Sequence, residues 1–494
     1  MPLVNRTFDQ LINFTRTTAA TFVGSNGLIQ TTPQSRNLLT FTEEFNNAAW
    51  VKSSATVAAN SVAAPDGTMT ADTLTASGAN GTALQTFTAS AVPYTFSVWL
   101  RRLTGTGNVQ LTVDGTTYAT VTLTTAWARF ETTLTPSAGS RTAGVRIVTS
   151  GDAVYAWGAQ LEQASAATDY TKNVGGLYPP RFDYDPVTLA PKGLLIEEQR
   201  TNLLTYSNDF TNGIWAKTSA TITGGVADPA GGTSAVTITA TAAAAVVQQA
   251  PTVTSGVALS ASIWIKRRTG TGTINMRCGD ATLIPITVTS SWTRVPVTAT
   301  PTSTTGRFAV TIATSGDEVD IYGAQLEAGA FATSYIPTVA SQVTRTADIA
   351  AIAAPNFASW YNQSEGTLLV EGSVQFGSTR YFFAGSAAQR MAYGTSGGAL
   401  GIFDGTNAAA SASGIPSGQT FKLATSYSNS NGLAGSLDGS AVFTNSAYTG
   451  SFATMTSVGL FNVAAGTAPA TGHIRSIRYY PTRLSNAQLQ ALTA

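Results

Sequence analysis

The chain repeats a series of short sequence motifs in the same order, and every motif is separated from its copy by 165 residues (202 − 37). Asn-Leu-Leu at 37–39 recurs at 202–204, and Gly-Ala-Gln-Leu-Glu at 158–162 recurs at 323–327. The tryptophans keep the same spacing: Trp50 with Trp215, Trp99 with Trp264, and Trp127 with Trp292. Solenoid repeats are about 20 to 50 residues long, so this period indicates a complete domain that has been duplicated.

The composition favours folded β-domains over disorder. Of the 494 residues, 43% are hydrophobic and 11% are charged, against about 25% charged in average soluble domains. Disordered segments combine high net charge with few aromatic residues, whereas this chain has a net charge of +1 and 21 Phe, 16 Tyr and 8 Trp. At roughly 150 residues per domain, the length predicts about three or four domains.

Alternation of apolar and polar residues predicts β-strands in both copies, as at 94–100 and at 258–265. Short strands separated by Gly, Asp and Asn turns are typical of a β-sandwich. We therefore predict one sandwich at 36–173 (module 1) and a second at 201–339 (module 2). The connector at 174–200 is rich in proline and is predicted to be extended, with a strand at 194–196.

The two ends of the chain differ from the modules. Residues 1–35 are predicted to form a short segment with two small strands and an Asn-Gly turn. Residues 340–494 are predicted to form a third β-domain, which ends in a short helix. Ser485 is the predicted cap of that helix, with Gln488 as its partner in a capping box. The predicted fold class is all-β.

Charge and rare residues exclude several function classes. A net charge near zero argues against nucleic acid or an anionic membrane as the partner. Because Cys278 and His473 are the single Cys and His, we expect no disulfide framework, no metal site, no cofactor and no catalytic triad. No secretory signal and no apolar run of ~20 residues is visible, so we expect synthesis in a cytoplasm and no membrane anchor.

The acidic residues shared by the copies are interpreted as structural. A glycosidase needs two carboxyl groups about 5 to 10 Å apart in a cleft. Asp152 and Asp317 each follow Ser-Gly, which favours a turn carboxylate that caps backbone N–H groups. Glu162 and Glu327 end the repeated Gly-Ala-Gln-Leu-Glu strand, where a buried Gln/Glu pair is expected. We therefore predict that the protein is not an enzyme.

Aromatic residues are the best ligand candidates, because their faces stack on the C–H surfaces of sugars. Trp50 and Trp215 lie in polar loops, and Trp360 with Tyr361 precedes a strand. These four are the predicted carbohydrate-binding residues. The tryptophans inside predicted strands are assigned to the core: Trp99, Trp127, Trp264 and Trp292.

Several stretches resemble virion proteins of tailed bacteriophages. Pro-Arg-Phe-Asp-Tyr-Asp-Pro at 180–186, Gly-Leu-Leu-Ile-Glu-Glu at 193–198 and Arg-Thr-Asn-Leu-Leu-Thr-Tyr-Ser at 200–207 are typical of phage structural proteins with carbohydrate-binding-like jelly rolls. Residues 355–494 resemble a concanavalin/laminin-G-like domain, for example at 472–480. The resemblance implies two tandem jelly-roll β-sandwiches followed by a concanavalin-like β-sandwich.

Three functions follow as hypotheses. The first is a tail fibre or surface adhesin that binds host-surface polysaccharide at the virion surface. It would assemble as a homo-oligomer, with a trimer favoured, and residues 1–35 would dock onto other virion proteins. The second is a capsid or tail decoration protein with a purely structural role. The third is a polysaccharide-degrading enzyme. Because the loops of the two copies differ, we expect ligand specificity to lie in residues 340–494.

Overall fold

The computed structural model describes residues 11–176, 178–354, 356–376, 379–463, 466 and 470–494. The described residues form three β-sandwiches, which confirms the predicted all-β fold class. Within these residues, no helix is long and apolar enough to cross a membrane.

The N-terminal segment and module 1 supply the first thirteen strands. The segment contains β1 (Asn13–Thr15), β2 (Thr21–Val23) and β3 (Ile29–Thr31). The strands of module 1 are β4 (Val51–Ser53), β5 (Ala55–Val62), β6 (Ala71–Ala76), β7 (Gly81–Ala89), β8 (Tyr94–Thr104), β9 (Val109–Thr112), β10 (Tyr118–Val121), β11 (Ala128–Leu134), β12 (Gly139–Ile147) and β13 (Ala153–Glu162). They form two five-stranded sheets, in the orders β10-β9-β12-β7-β4 and β11-β8-β13-β6-β5.

The two five-stranded sheets of module 2 repeat this topology strand for strand, while Arg200–Asn202 pairs with Val343–Arg345 in a separate two-stranded sheet. The connector first contributes β14 (Arg181–Tyr184) and β15 (Pro191–Ile196). Module 2 then follows with β16 (Arg200–Asn202), β17 (Ala216–Thr218), β18 (Ala220–Val226), β19 (Ala235–Ala240), β20 (Ala245–Gln249), β21 (Leu259–Thr269), β22 (Ile274–Cys278), β23 (Ile284–Ile286), β24 (Thr293–Ala299), β25 (Phe308–Ile312) and β26 (Glu318–Ala328). Its sheets have the orders β17-β20-β25-β22-β23 and β18-β19-β26-β21-β24.

The third sandwich consists of two seven-stranded sheets. The remaining strands are β27 (Val343–Arg345), β28 (Ile349–Ile352), β29 (Glu365–Gln375), β30 (Arg380–Ser386), β31 (Gln389–Gly394), β32 (Leu400–Phe403), β33 (Ala408–Ala410), β34 (Thr420–Ser428), β35 (Gly432–Leu437), β36 (Phe443–Asn445), β37 (Val458–Leu460) and β38 (Thr471–Tyr480). A 3-10 helix spans Ser451–Thr454 and helix α1 spans Asn486–Thr493. The predicted capping box is confirmed: Gln488 N–H donates to Ser485 Oγ at 3.3 Å, and Ser485 N–H donates to Gln488 Oε1 at 2.8 Å.

The third sandwich takes strands from three separate parts of the chain. One sheet has the order β1-β28-β37-β30-β31-β32-β33, and the other has the order β14-β15-β38-β29-β34-β35-β36. The predicted strand at 194–196 is part of β15, which pairs with β38. Residues 13–15 and 181–196, predicted as parts of a docking segment and of a connector, are therefore built into the third sandwich. Residues 1–10 of the predicted docking segment lie outside the described residues.

A buried network of ion pairs connects these parts. Arg16 contacts Asp348 at 2.7 Å, and Arg181 contacts both Asp348 and Glu197, the latter at 2.7 Å. Arg345 also pairs with Glu197, and all five side chains are buried. Burial lowers the pKa of Arg16 and of Arg345 below the ordinary arginine value. A buried charge is costly without its partners, so the network holds the N-terminal segment, the connector and residues 345–348 in one arrangement.

Candidate functional site

The loop tryptophans proposed as ligand residues lie in the cores of the modules. Trp50 is 0% exposed and Trp215 is 1% exposed, so their predicted exposure is wrong. Each indole N–H donates to a backbone carbonyl nine residues earlier, that of Phe41 at 2.9 Å and that of Tyr206 at 3.0 Å. The polar residues of these loops bond to the backbone of the same loop, as Asn47 does. The polarity of these loops therefore does not indicate that the rings of Trp50 and Trp215 are exposed.

Trp360 and Tyr361 pack against the core of the third sandwich. The Tyr361 ring lies 4.3 Å from that of Phe357, and its hydroxyl donates to the carbonyl of Phe452 at 3.0 Å. Burial raises the pKa of Tyr361 above its ordinary value. The Trp360 ring packs edge-on against Tyr479 at 5.0 Å. This packing gives both rings a structural role, and the structure does not bring the four predicted residues together.

Trp99 and Trp127 lie on the outer face of module 1 and are partly exposed, contrary to the prediction that they belong to the core, whereas Trp264 is buried as predicted. Along β8, Phe96, Val98 and Leu100 point between the two sheets, so Trp99 lies on the opposite, outer face. We call the outer aromatic cluster of module 1 its aromatic face: Trp99, Trp127, Tyr155, Trp157 and Tyr170. The sequence already indicated this outward position, because Ser97 and Arg101, which share a face of the strand with Trp99, are polar.

Two arginines border the aromatic face. The Arg101 guanidinium lies over the rings of Trp127, at 5.2 Å, and of Tyr155, at 4.5 Å. Arg129 donates to the carbonyl of Thr168 at 2.7 Å and to Ser97 Oγ at 2.9 Å. A guanidinium has five N–H donors in a plane, so Arg129 keeps donors beyond these two bonds. Flat apolar rings beside hydrogen-bond donors match the two kinds of surface that a sugar presents.

Module 2 repeats this arrangement. Its outer cluster contains Trp264, Tyr322, Tyr335 and Trp292. The arginine contacts recur residue for residue: Arg294 donates to the carbonyl of Thr333 at 2.5 Å and to Ser262 Oγ at 2.9 Å. Lys266 replaces Arg101, with its Nζ 4.9 Å from the centre of the Trp292 ring. The duplication therefore includes the outer aromatic cluster as well as the core.

The N-terminal hairpin β2–β3 covers part of the module 2 cluster. Ile29 belongs to this cluster, and its N–H donates to the carbonyl of Pro229 at 2.9 Å. Thr21 Oγ1 donates to the carbonyl of Tyr335 at 2.5 Å. In the described chain, the corresponding cluster of module 1 is built from module 1 residues alone.

A groove of about 460 Å³ remains between the hairpin, module 2 and the third sandwich. We call it the interdomain groove. Its wall on module 2 carries Trp292 and Arg294, and the hairpin contributes Phe22. The third sandwich contributes Lys192 and His473. A larger hollow of about 720 Å³ adjoins it, since both are lined by Lys192 and His473.

A row of hydrogen bonds crosses the floor of the interdomain groove. His473 Nε2 lies 2.8 Å from Asp183 Oδ2, and His473 Nδ1 lies 3.3 Å from Ser373 Oγ. Burial raises the pKa of Asp183, but the hydrogen bond to His473 and its charge bring it below its ordinary value overall. Ser373 lies on β29, whose backbone pairs with strands on both sides. A nucleophilic serine needs free N–H donors for an oxyanion, so this row is interpreted as a cross-strand contact.

The shared acidic residues have the predicted structural roles. Asp152 accepts the N–H of Gly107 at 2.7 Å, and Glu162 accepts from the Gln160 amide at 2.7 Å. Module 2 repeats both contacts: Asp317 with Gly272 at 2.7 Å, and Glu327 with Gln325 at 2.8 Å. Over the described ranges, no group of three or more His, Cys, Asp and Glu is placed to hold a metal ion.

No protein-family model matches the sequence, and no curated protein matches it. Among solved structures, the tandem CBM22-1–CBM22-2 domain of Paenibacillus barcinonensis Xyn10C is similar, with 12% identity and a TM-score of 0.24 over 60% of this chain and 99% of that chain. The ANX2 ectodomain of Arabidopsis thaliana is 8% identical, with a TM-score of 0.17 over 64% of this chain and 96% of that chain. Similarity at this level carries no argument about function.

Proposed function

We propose that the protein is a surface adhesin of a phage virion and that it binds glycan through the aromatic face of module 1. The observation that supports this most strongly is the outward position of Trp99 and Trp127 beside Arg101 and Arg129. Clustered aromatic rings on an outer sheet face are uncommon unless a partner covers them. The phage context comes from the resemblance of the sequence strings at 180–207.

Glycan binding is tested with a glycan array and by titrating each hit against the purified chain while following tryptophan fluorescence. We expect Trp127→Ala to weaken binding about tenfold or more, since aromatic contacts of this kind contribute roughly 1 kcal/mol beyond the area that they bury. Trp360→Ala is the matched control, because that ring packs on the core of the third sandwich. Equal binding by wild type and Trp127→Ala, with a loss in Trp360→Ala, would overturn the assignment to module 1.

The virion role requires a different test. A deletion of residues 1–35 would remove β1 and Arg16, which belong to the third sandwich and to the buried ion-pair network. Deleting residues 1–10 leaves β1 and Arg16 in the chain. If residues 1–10 dock onto other virion proteins, we expect the variant that lacks them to be missing from assembled particles. Normal incorporation would contradict the docking proposal.

A purely structural decoration protein is the second candidate. It is favoured by the buried network of Arg16, Arg181, Glu197, Arg345 and Asp348, which connects distant parts of the chain. Adsorption by particles that carry Trp127→Ala separates the two candidates. Reduced adsorption supports the adhesin, whereas unchanged adsorption supports the structural role.

We further propose that the protein has no polysaccharide-degrading activity. The shared carboxylates at 152, 162, 317 and 327 are bound to backbone or amide groups of their own module. Incubation with host capsule or lipopolysaccharide is expected to release no reducing ends. If reducing ends appear with the wild-type protein but not with a Ser373→Ala or Asp183→Asn variant, the hydrogen-bonded row of Asp183, His473 and Ser373 is catalytic.

A further inference from the structure

We infer that the interdomain groove is a second binding site, and that it takes a saccharide carrying a carboxylate. The acid group would bind Arg294, and the apolar face of the sugar would stack on Trp292. Both side chains line the groove. Trp292 immediately precedes β24, and Arg294 lies on that strand two residues further on, which corresponds to roughly 7 Å of extended backbone. This site does not depend on the aromatic face of module 1.

Arg294 has the hydrogen-bonding capacity for a ligand. Its two bonds go to neutral acceptors, the carbonyl of Thr333 and the hydroxyl of Ser262, and use two of five N–H donors. Arg294 takes part in none of the ion pairs among the described residues, and Glu327 lies 3.8 Å from Arg200. Burial lowers the pKa of Arg294, although Glu327 acts in the opposite direction. An anion that binds in the groove would therefore stabilise the charged form of Arg294, whose burial the protein's own groups offset only in part.

The acidic residues that line the groove each contact a basic side chain of the protein or the His473 ring. Asp183 is paired with His473 at 2.8 Å, and Glu197 is paired with Arg181 at 2.7 Å. Asp185 lies 3.7 Å from Lys192. Arg294 takes part in none of these pairs, so an anion that enters the groove meets a cation that has no carboxylate partner among the described residues.

The geometry of the groove suits a saccharide. Its volume of about 460 Å³ lies within the range of roughly 300 to 1,000 Å³ typical of small-ligand sites. Trp292 offers a partly exposed ring, and Phe22 lines the side formed by the hairpin. The hydroxyl of Ser373 and the amide of Gln375, also in the lining, can bond to sugar hydroxyl groups. The site therefore combines stacking, charge and hydroxyl recognition.

The test is calorimetric titration with trigalacturonic acid, carried out in the Trp127→Ala variant so that the aromatic face of module 1 contributes little. The fully methyl-esterified trisaccharide keeps the shape of this ligand and removes its charge. We expect the acid to bind about tenfold or more tightly than the ester, which corresponds to a charge-assisted hydrogen bond. We expect Arg294→Gln to abolish that difference and Trp292→Ala to weaken binding of both ligands.

Arg129→Gln is the matched control, because Arg129 makes the equivalent contacts in module 1. It is expected to leave the affinity unchanged. Absence of binding, equal binding of acid and ester, or an equal loss in Arg129→Gln would overturn the inference. If Arg294→Gln does not fold, Trp292→Ala and the comparison of acid with ester still decide the question. Failure of glycan binding at module 1 would leave this result unaffected.

Discussion

Trp99 and Trp264 occupy the same position in the two copies of the module, but only Trp264 lies in a cluster that includes Ile29 of the N-terminal hairpin. Trp264 is 6% exposed. One duplicated surface is therefore partly closed by the protein itself, and among the described residues the other cluster contains no counterpart of Ile29. The two modules share a fold and differ in whether another part of the chain packs on their outer aromatic cluster.

The loop and strand tryptophans are expected to respond oppositely to substitution. Trp50→Ala removes a ring that is 0% exposed, and we expect it to lower the free energy of unfolding of module 1 by about 3 to 5 kcal/mol. Trp127→Ala should cost less stability, because its ring is partly exposed, but should weaken glycan binding. Denaturant unfolding and glycan titration on both variants measure this. If Trp50→Ala keeps its stability but loses glycan binding, Trp50 is a ligand residue after all.

The Ile29 side chain is one of the contacts that hold the hairpin on module 2. Ile29 is 8% exposed and packs on the module 2 cluster. We expect Ile29→Ala to cost about 2 kcal/mol of stability and to increase hydrogen exchange at β2 and β3. Val187→Ala, at a side chain that is 75% exposed, is the control and should change stability by less than about 0.5 kcal/mol. Equal effects of the two substitutions would mean that the hairpin is not packed as described.

The buried ion-pair network should be sensitive to the loss of any one partner. Asp348→Asn leaves Arg16 and Arg181 buried without their shared carboxylate, and we expect a cost of about 3 to 5 kcal/mol. Lys192→Gln breaks the exposed pair with Asp185 and should cost less than about 1 kcal/mol. Thermal unfolding of both variants measures the difference. A small effect of Asp348→Asn would show that the network does not hold the segments together.

Asp72 gives module 1 a defined pH dependence. Burial raises its pKa to about 6, even though it accepts the N–H groups of Phe45 and Asn60. The folded protein therefore holds this proton more tightly than the unfolded chain, whose Asp pKa is ~3.9. The resulting stability is present below pH ~4 and is lost as the pH rises through about 6. Unfolding midpoints of wild type and Asp72→Asn between these pH values check this, and parallel profiles would contradict it.

Local patterns in the sequence predicted several features correctly. The repeat predicted two equal modules, and the spacing of Ser485 and Gln488 predicted the cap of α1. Asp152 and Glu162 have their predicted structural partners because each is bound by groups of its own module. The error about Trp99 came from assigning tryptophans in strands to the core. The alternation of Phe96, Val98 and Leu100 already placed Trp99 on the other face.

The sequence by itself determined the elements, because strand alternation, turns and capping depend on residues close together in the chain. Only the tertiary structure decided that β1, β14 and β15 belong to the third sandwich and that Ile29 covers the second aromatic cluster. These contacts join residues hundreds of positions apart, and their free energy depends on which surfaces meet. Two copies that share their motifs and their spacing could therefore become one surface bearing Trp99 and one groove bearing Trp292.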